Sequence, residues 1–290
     1  MGIGRRRWRA AAAAAVAGSL SALLLGALAP AAAEVAPDTE RPGHGTHNHA
    51  LGSQIRKVEG DGSTARTKQR ALQPQGLNSD GADAYATVPG IDVSSWQGNV
   101  DWDYWWGQGK RFAYVKATEG TTYENPYFAQ QYNGSYNVGM IRGAYHFALP
   151  NNSSGAAQAN FFVDNGGGWS ADGKTLPGVI DMEYNPYGST CYGKSQSQMA
   201  AWVRDFHDTY YSRTGRHPVI YTSTSWWNQC VGTAGDFSST SPLWVARYAS
   251  SVGELPYNWG YHTFWQYTST PIDQNTFNGS YSRLQVLATG

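Results

Sequence analysis

Short apolar runs of β type alternate with longer amphipathic stretches from about Val88 to the end of the chain. The clearest predicted strands are 90–93, 112–117, 141–147, 178–182, 219–222, 243–248 and 263–267. Predicted helices lie between several of them, at 101–108, 125–137, 153–165 and 195–214. Ser195 and Gln198 have the spacing of a capping box, and Gly215 follows the last helix. This alternation predicts an α/β fold, a barrel-like β/α domain with mainly parallel strands that becomes irregular in its last third.

The first 33 residues have the pattern of a secretory signal peptide. A basic stretch precedes an apolar run, and Ala31 and Ala33 form a small-residue site that predicts cleavage before Glu34. The alternative is an uncleaved membrane anchor, because the apolar run is nearly long enough to span a bilayer. No later segment is apolar enough to do so. We therefore divide the chain into a signal peptide (1–33), an intermediate block (34–86) and a catalytic β/α-barrel domain (87–290).

The block 34–86 contains no aromatic residue before Tyr85 and is rich in small and polar residues. Such a composition buries too little apolar surface to offset the entropy of ordering the chain, so we expect a disordered tether or a propeptide. His44, His47 and His49 resemble a metal-binding tract, but no cysteine or acid lies in ligand register. A solvated linker is the better interpretation of these histidines.

Charge and composition limit the class of protein. The 21 basic residues balance the 21 acidic residues, which argues against a nucleic-acid binder. Aromatic residues make up 14%, with 12 Trp and 19 Tyr, which is typical of sugar-binding proteins and also of large cores. Cys191 and Cys230 are the only cysteines, and in an exported protein they are expected to form a disulfide rather than a reactive thiol.

Four acids stand at the ends of predicted strands: Asp92, Asp181, Glu183 and Asp273. The carboxyl ends of the strands in a β/α barrel meet at the face that holds the active site. Residues i and i+2 of a strand point to the same side, so Asp181 and Glu183 should face the barrel mouth together. Their repulsion would raise at least one pKa, as a general acid for glycosidic bond cleavage requires.

Other chemistries have less support. Strand-end acids also cap helices or pair with arginines, and for any one of these acids a structural role is equally plausible. The histidines of the folded region lack zinc-type spacing, and no G-x-S-x-G motif indicates a serine hydrolase. We expect no metal and no cofactor.

Seven different motifs follow one another through the barrel region: GIDVSSWQG, FAYVKATEG, IRGAYHF, LPGVIDMEY, VIYTS, LWVARY and FWQY. Together they resemble the family 25 glycoside hydrolases, most closely the Chalaropsis-type and Streptomyces-type N-acetylmuramidases, over residues 88–290. The resemblance implies a flattened β/α barrel, irregular in its last third. It also implies a lysozyme that cleaves the β-1,4 bond between N-acetylmuramic acid and N-acetylglucosamine, with O-acetylated muramic acid a possible substrate.

The same resemblance assigns the active-site acids to Asp92, Asp181, Glu183 and Asp273, with Glu183 as the general acid. We hypothesise a retaining reaction in which the substrate's acetamido oxygen attacks and Asp181 orients the acetamido N–H. The alternative is Asp92 as a direct nucleophile or water-activating base. A second class of function is a non-catalytic cell-wall-binding module, although the intact acids argue against it.

Substrate binding is expected from Tyr145, Tyr221, Trp265 and Tyr267, which lie on or near strand ends. Lys116 and Arg142 are candidates to meet muramic acid or peptide carboxylates, or alternatively to pair with a strand-end acid. The expected partner is bacterial cell-wall peptidoglycan. We expect a secreted monomer with no nucleic-acid partner and no stable membrane association after signal cleavage.

Overall fold

The structure, a computed structural model, describes residues 48–61 and 87–290. Its central feature is a single sheet that closes into an eight-stranded barrel, with one additional short strand paired to the end of a barrel strand. The strands in chain order are β1 (Val88–Val93), β2 (Phe112–Glu119), β3 (Tyr123–Glu124), β4 (Ile141–Phe147), β5 (Val179–Asp181), β6 (Val219–Thr222), β7 (Leu243–Ala246), β8 (Phe264–Thr268) and β9 (Gln274–Phe277). The hairpin strand β3 pairs only with β2.

Seven of the barrel strands run parallel, in the order β1-β2-β4-β5-β6-β7-β8. The last strand, β9, is antiparallel to both β8 and β1 and closes the barrel between them. The carboxyl ends of seven strands and the amino end of β9 therefore surround one mouth.

One helix precedes the barrel strands in the chain, and the others lie between strands or follow the last one. They are α1 (Ser53–Glu59), α2 (Trp102–Gly107), α3 (Phe128–Asn137), α4 (Gly155–Phe162), α5 (Gln196–Thr214), α6 (Thr224–Cys230) and α7 (Tyr281–Thr289). Helix α5 begins with the capping box formed by Ser195 and Gln198 and ends at Gly215, whose φ of 71° is left-handed. Phe162 of α4 stacks near Phe206 of α5, with ring centroids 6.3 Å apart.

Large aromatic side chains fill the barrel below its mouth. Tyr114 lies 4.8 Å from Trp244 between ring centroids and 5.7 Å from Phe264. Phe264 also lies 5.3 Å from both Phe112 and Phe277. All these residues are buried, so the polar chemistry is confined to the end of the barrel above them.

The predicted α/β barrel is confirmed, and so is its irregular last third. No helix connects β7 to β8 or β8 to β9, and an antiparallel strand takes the final place in the barrel. The sequence analysis did not predict β9, α6 or α7. The predicted disulfide between Cys191 and Cys230 is present, with the Cα atoms 5.3 Å apart.

Residues 48–61, hereafter the N-terminal segment, are ordered within a block for which we expected a disordered tether or a propeptide. The rest of that block, 34–47 and 62–86, lies outside the described residues. Residues 48–61 form α1 and bury Leu51 and Ile55, at 0% and 1% exposure. Composition judges whether a segment can build its own core, whereas these side chains pack on the barrel. The predicted signal peptide lies outside the described residues. Within 48–61 and 87–290, no helix has the length and apolar character needed to cross a bilayer.

Candidate active site

The four strand-end acids lie at the barrel mouth. Asp92 is on β1, Asp181 ends β5, Glu183 follows two residues later, and Asp273 directly precedes β9. The backbone N–H of Asp92 donates to the carbonyl of Asp273 across 3.3 Å. Each acid is at most 5% exposed. Burial of several carboxyl groups in one place makes their joint ionisation unfavourable.

Asp92 is held by two amide side chains from the last two strands. Its Oδ2 accepts hydrogen bonds from Gln266 Nε2 and Asn275 Nδ2, each at 2.8 Å. The carboxamide of Asn275 is itself fixed, because its Oδ1 accepts from Trp244 Nε1 at 3.1 Å. Burial and the charge of Asp273 raise the pKa of Asp92 well above its ordinary value, while the two amide donors oppose this shift.

Asp181 and Glu183 form the second pair of acids. Burial raises the pKa of Asp181 well above its ordinary value, and the neighbouring charge of Glu183 adds to this shift. Burial also raises the pKa of Glu183 to about 8. Neither carboxyl oxygen of Asp181 has a hydrogen-bond partner among the residues that the structure describes. Asp181 therefore presents two unpartnered oxygens beside Glu183, and the raised pKa values of both groups favour retention of a proton by the pair.

The N-terminal segment covers this pair of acids. Glu183 Oε1 accepts from the backbone N–H of Gly52 at 3.0 Å, and Oε2 accepts from those of Gln54 and Ile55 at 2.9 Å. These N–H groups belong to the start of α1, where the backbone has no intrahelical acceptor. Both oxygens of the predicted general acid are thus engaged by the chain's own N-terminal part.

Asp273 has a partner from the same segment. Arg56 Nη1 lies 2.6 Å from Asp273 Oδ1 in an ion pair that is largely buried. Burial raises the pKa of Asp273 to about 6, and the guanidinium of Arg56 opposes the shift.

A buried cation lies on the β2 side of the mouth. Lys116 Nζ lies 2.6 Å from Glu119 Oε2 and also donates to the carbonyl of His49. His49 Nδ1 lies 2.8 Å from Glu119 Oε1. Although burial would raise it, the positive charge of Lys116 holds the pKa of Glu119 below its ordinary value. Contrary to the solvated position expected for it, His49 also packs against Phe147, 5.1 Å away between ring centroids. His44 and His47 lie outside the described residues.

Two of the four predicted binding aromatics reach the mouth. Tyr145 accepts from the backbone N–H of Leu51 at 3.2 Å, and Tyr221 donates to Gln266 Oε1 at 2.6 Å. Trp265 and Tyr267 do not join them. They lie 5.7 Å apart between ring centroids on the side of β8 opposite Gln266, because neighbouring residues of a strand alternate in direction.

Lys116 lies at the mouth, but Arg142 does not. Arg142 is the second residue of β4, at the opposite end of the barrel, and it alternates with the inward-facing Tyr145. Its guanidinium lies 4.3 Å from the ring centroid of Tyr132 and 3.6 Å from Asp172. Arg142 thus lies away from the mouth, and its acidic neighbour is Asp172 rather than a strand-end acid.

Sequence reasoning missed four polar residues of the site: Glu119, Tyr248, Gln266 and Asn275. Tyr248 donates to Gln266 Oε1 beside Tyr221. The alternation of β8 contained the signal for Gln266, since it follows the inward-facing Phe264 by two positions. No cluster of three metal-ligating side chains occurs within 48–61 and 87–290.

The site combines two neighbouring buried carboxyl groups with raised pKa values, one of them without hydrogen-bond partners among the described residues, and a third carboxyl group held by two amide side chains. Such a set can protonate a leaving oxygen and stabilise positive charge that develops next to it. Acetal cleavage by two carboxyl groups has these requirements.

Residues 91–276 match the family described as glycosyl hydrolases family 25. The chain belongs to that family. It is 45% identical to lysozyme M1 of Streptomyces globisporus over 98% of this chain and 96% of that protein. It is 46% identical to the N,O-diacetylmuramidase of Chalaropsis sp. over 70% of this chain and all of that protein. A solved muramidase from Acremonium alcalophilum is 57% identical and superposes with a TM-score of 0.69, covering 70% of this chain and 99% of that one.

Membership in family 25 identifies the protein as a glycosidase of the lysozyme type. The alternative of a non-catalytic binding module is not supported. The family match begins at Ile91 and ends at Thr276, so it spans the strands that carry the four acids.

Proposed function

We propose that this glycosidase is a secreted peptidoglycan hydrolase that cleaves the β-1,4 bond between N-acetylmuramic acid and N-acetylglucosamine. Its relatives named lysozyme and muramidase support the substrate class. The observation that carries the mechanism is the position of Asp181 and Glu183 two residues apart at the end of β5, where their charges repel and the two oxygens of Asp181 have no partner within the described residues.

In the proposed reaction, Glu183 donates its proton to the glycosidic oxygen as the bond to the anomeric carbon breaks. The acetamido oxygen of muramic acid attacks that carbon and forms an oxazolinium ion. Asp181 accepts a hydrogen bond from the acetamido N–H and stabilises the positive charge of the oxazolinium ion. Glu183, now ionised, removes a proton from water, which opens the ring of the intermediate and leaves the β-anomer.

Asp92 as a direct nucleophile is the alternative route. Its Oδ2 already accepts from Gln266 and Asn275, an arrangement that holds the carboxylate in place and reduces its nucleophilicity. This observation favours a supporting role for Asp92 and acetamido participation in the reaction.

An NMR time course that resolves the anomers tests retention. The first product of wall-fragment hydrolysis should be the β-anomer, and the α-anomer would exclude this scheme. Aryl β-glycosides of muramic acid with an acetyl, fluoroacetyl or difluoroacetyl group on nitrogen separate the two retaining routes. If the acetamido oxygen attacks, the rate should fall steeply with each fluorine. An unchanged rate would transfer the role of nucleophile to Asp92.

Export is supported by the basic and apolar pattern of 1–33 and by the disulfide between Cys191 and Cys230, a bond typical of oxidising compartments. The test is the N-terminal sequence of the protein recovered outside the producing cell. We expect that it begins at Glu34 or later, whereas an intact Met1 would indicate an uncleaved anchor.

A further inference from the structure

The N-terminal segment provides partners for four charged or acidic side chains around the mouth. Its backbone binds Glu183, and Arg56 pairs with Asp273. At the opposite edge, the carbonyl of His49 accepts from Lys116 and its ring binds Glu119. The proposed chemistry requires a sugar to occupy the space between these groups.

Docking of the segment is incompatible with catalysis. A general acid must lie within hydrogen-bond reach of the oxygen that it protonates. Glu183 cannot reach a glycosidic oxygen while Gly52, Gln54 and Ile55 bind both of its carboxyl oxygens at 2.9–3.0 Å. Substrate and segment therefore compete for the same atoms.

The buried face of the segment shows that it is held by the barrel. Ala50, Leu51 and Ile55 are at most 7% exposed, whereas Val58 on the outer side is 57% exposed. A helix of 7 residues is too short to be stable alone in water. Its helical state thus depends on its contacts with the mouth.

Gly52 lies where the segment approaches the site most closely. Its φ of +73° is left-handed, and a Cβ at this position would overlap the hydroxyl groups of Tyr221 and Tyr248 and Oε1 of Gln266. Only glycine satisfies both the backbone conformation and the space. Gly60, at the other end of α1, has a φ of +89° and no atom within 4 Å of such a Cβ.

We propose that residues 48–61 are an intramolecular inhibitor that keeps the enzyme latent until the segment is displaced from the mouth. The inference rests on the proposed function, since it requires Glu183 to be the acid. A tethered ligand acts at an effective concentration on the order of millimolar, so an intrinsic Kd of about 10 μM would leave only about 1% of the molecules open. Cutting the chain between the segment and the barrel would remove this advantage.

The test compares the full chain with Gly52→Val and with the matched control Gly60→Val. Two quantities are measured: the release of reducing ends from purified cell walls, and hydrogen–deuterium exchange of the amides in 48–61. We expect slow hydrolysis and protected amides in the parent and in Gly60→Val. Gly52→Val should hydrolyse walls at least about tenfold faster, with fast exchange in the segment. A synthetic peptide of residues 48–61 at about 1 mM should return Gly52→Val toward the parent rate, and the same peptide with Gly52→Val should not.

Three outcomes would overturn the proposal. Fast exchange of the segment in the parent would show that it does not dock. Equal, substantial activity in the parent and Gly52→Val, with the segment released only in the variant, would show docking without inhibition. If released Gly52→Val still binds walls but frees no reducing ends, the proposed function itself fails, and the inhibitor assignment fails with it.

Discussion

Replacing Glu183 by glutamine separates two roles that the structure gives to one carboxyl group. The amide has nearly the same shape but cannot donate the proton that the leaving oxygen needs. General acid–base catalysis contributes about 100-fold to 10,000-fold, so we expect a loss of activity of that size. In energetic terms this is roughly 3–5 kcal/mol of transition-state stabilisation.

The same change should loosen the N-terminal segment. The amide retains one acceptor oxygen, which is best placed toward the N–H groups of Gln54 and Ile55, where Oε2 now accepts two bonds. Its NH₂ group then faces the N–H of Gly52, a donor 3.0 Å from the present oxygen. A hydrogen bond between neutral groups, as here with a protonated Glu183, contributes about 0.5–1.5 kcal/mol. Losing one should weaken docking by about 1 kcal/mol, or roughly fivefold.

Glu183→Gln is best measured in the Gly52→Val background, where the mouth is expected to be open, and also in the parent chain. Reducing-end release reports the catalytic role, and hydrogen–deuterium exchange of 48–61 reports docking. Glu254→Gln, the same chemical change at an exposed position, is the control. If Glu183→Gln retains more than about one-tenth of the Gly52→Val rate, Glu183 is not the general acid. Unaltered exchange in the parent background would refute the hydrogen bonds assigned to Gly52, Gln54 and Ile55.

Three further expectations follow from the burial and position of other groups. The pKa values of Glu183 and Asp273 are raised to about 8 and about 6 in the folded protein, so the folded state keeps protons that the unfolded chain has lost. The melting temperature should therefore fall as the pH rises from about 4 to 9. Thermal unfolding of Glu183→Gln across that range should show a shallower decline than that of the parent. Cys191→Ser with Cys230→Ser should cost about 4 kcal/mol of unfolding free energy for a loop of 39 residues, measured by urea unfolding without reductant. Arg142→Ala should reduce stability but leave kcat on released wall fragments unchanged, because its guanidinium lies at the far end of β4; a large fall in kcat would place it in the site after all.

Much of the barrel could be predicted because its signals are local. The capping box of Ser195 and Gln198 and the left-handed Gly215 act within one helix end, and both are present. The shared orientation of Asp181 and Glu183 toward the mouth follows from strand alternation alone. In contrast, β9 has the polar sequence QNTF, and its strand state depends on pairing with both β8 and β1. No property of those four residues by themselves indicates a barrel strand.

The candidate site shows the same division between local and long-range information. Alternation along β8, applied strictly, places Gln266 inside and Trp265 outside, whereas the sequence analysis selected Trp265 for its aromatic character. The location of Arg142 could also have been predicted from its place in the strand, since the start of a parallel strand lies at the end of the barrel opposite the active face. The role of Asn275 could not be predicted in this way, because its contact with Asp92 joins residues that are 183 positions apart in the chain.

The N-terminal segment is ordered although its composition favoured a disordered tether, and the reason is physical. Low apolar content predicts that a segment cannot form a core of its own, and residues 48–61 do not form one. They need only a few apolar side chains because the barrel supplies the opposing surface, and Leu51 and Ile55 become fully buried there. Their remaining contacts are made by backbone N–H groups, which every sequence except proline possesses and which no composition measure can detect. A short polar segment beside a catalytic domain should therefore be judged against the unsatisfied groups of that domain, here the carboxyl oxygens of Glu183, as well as by its own hydrophobicity.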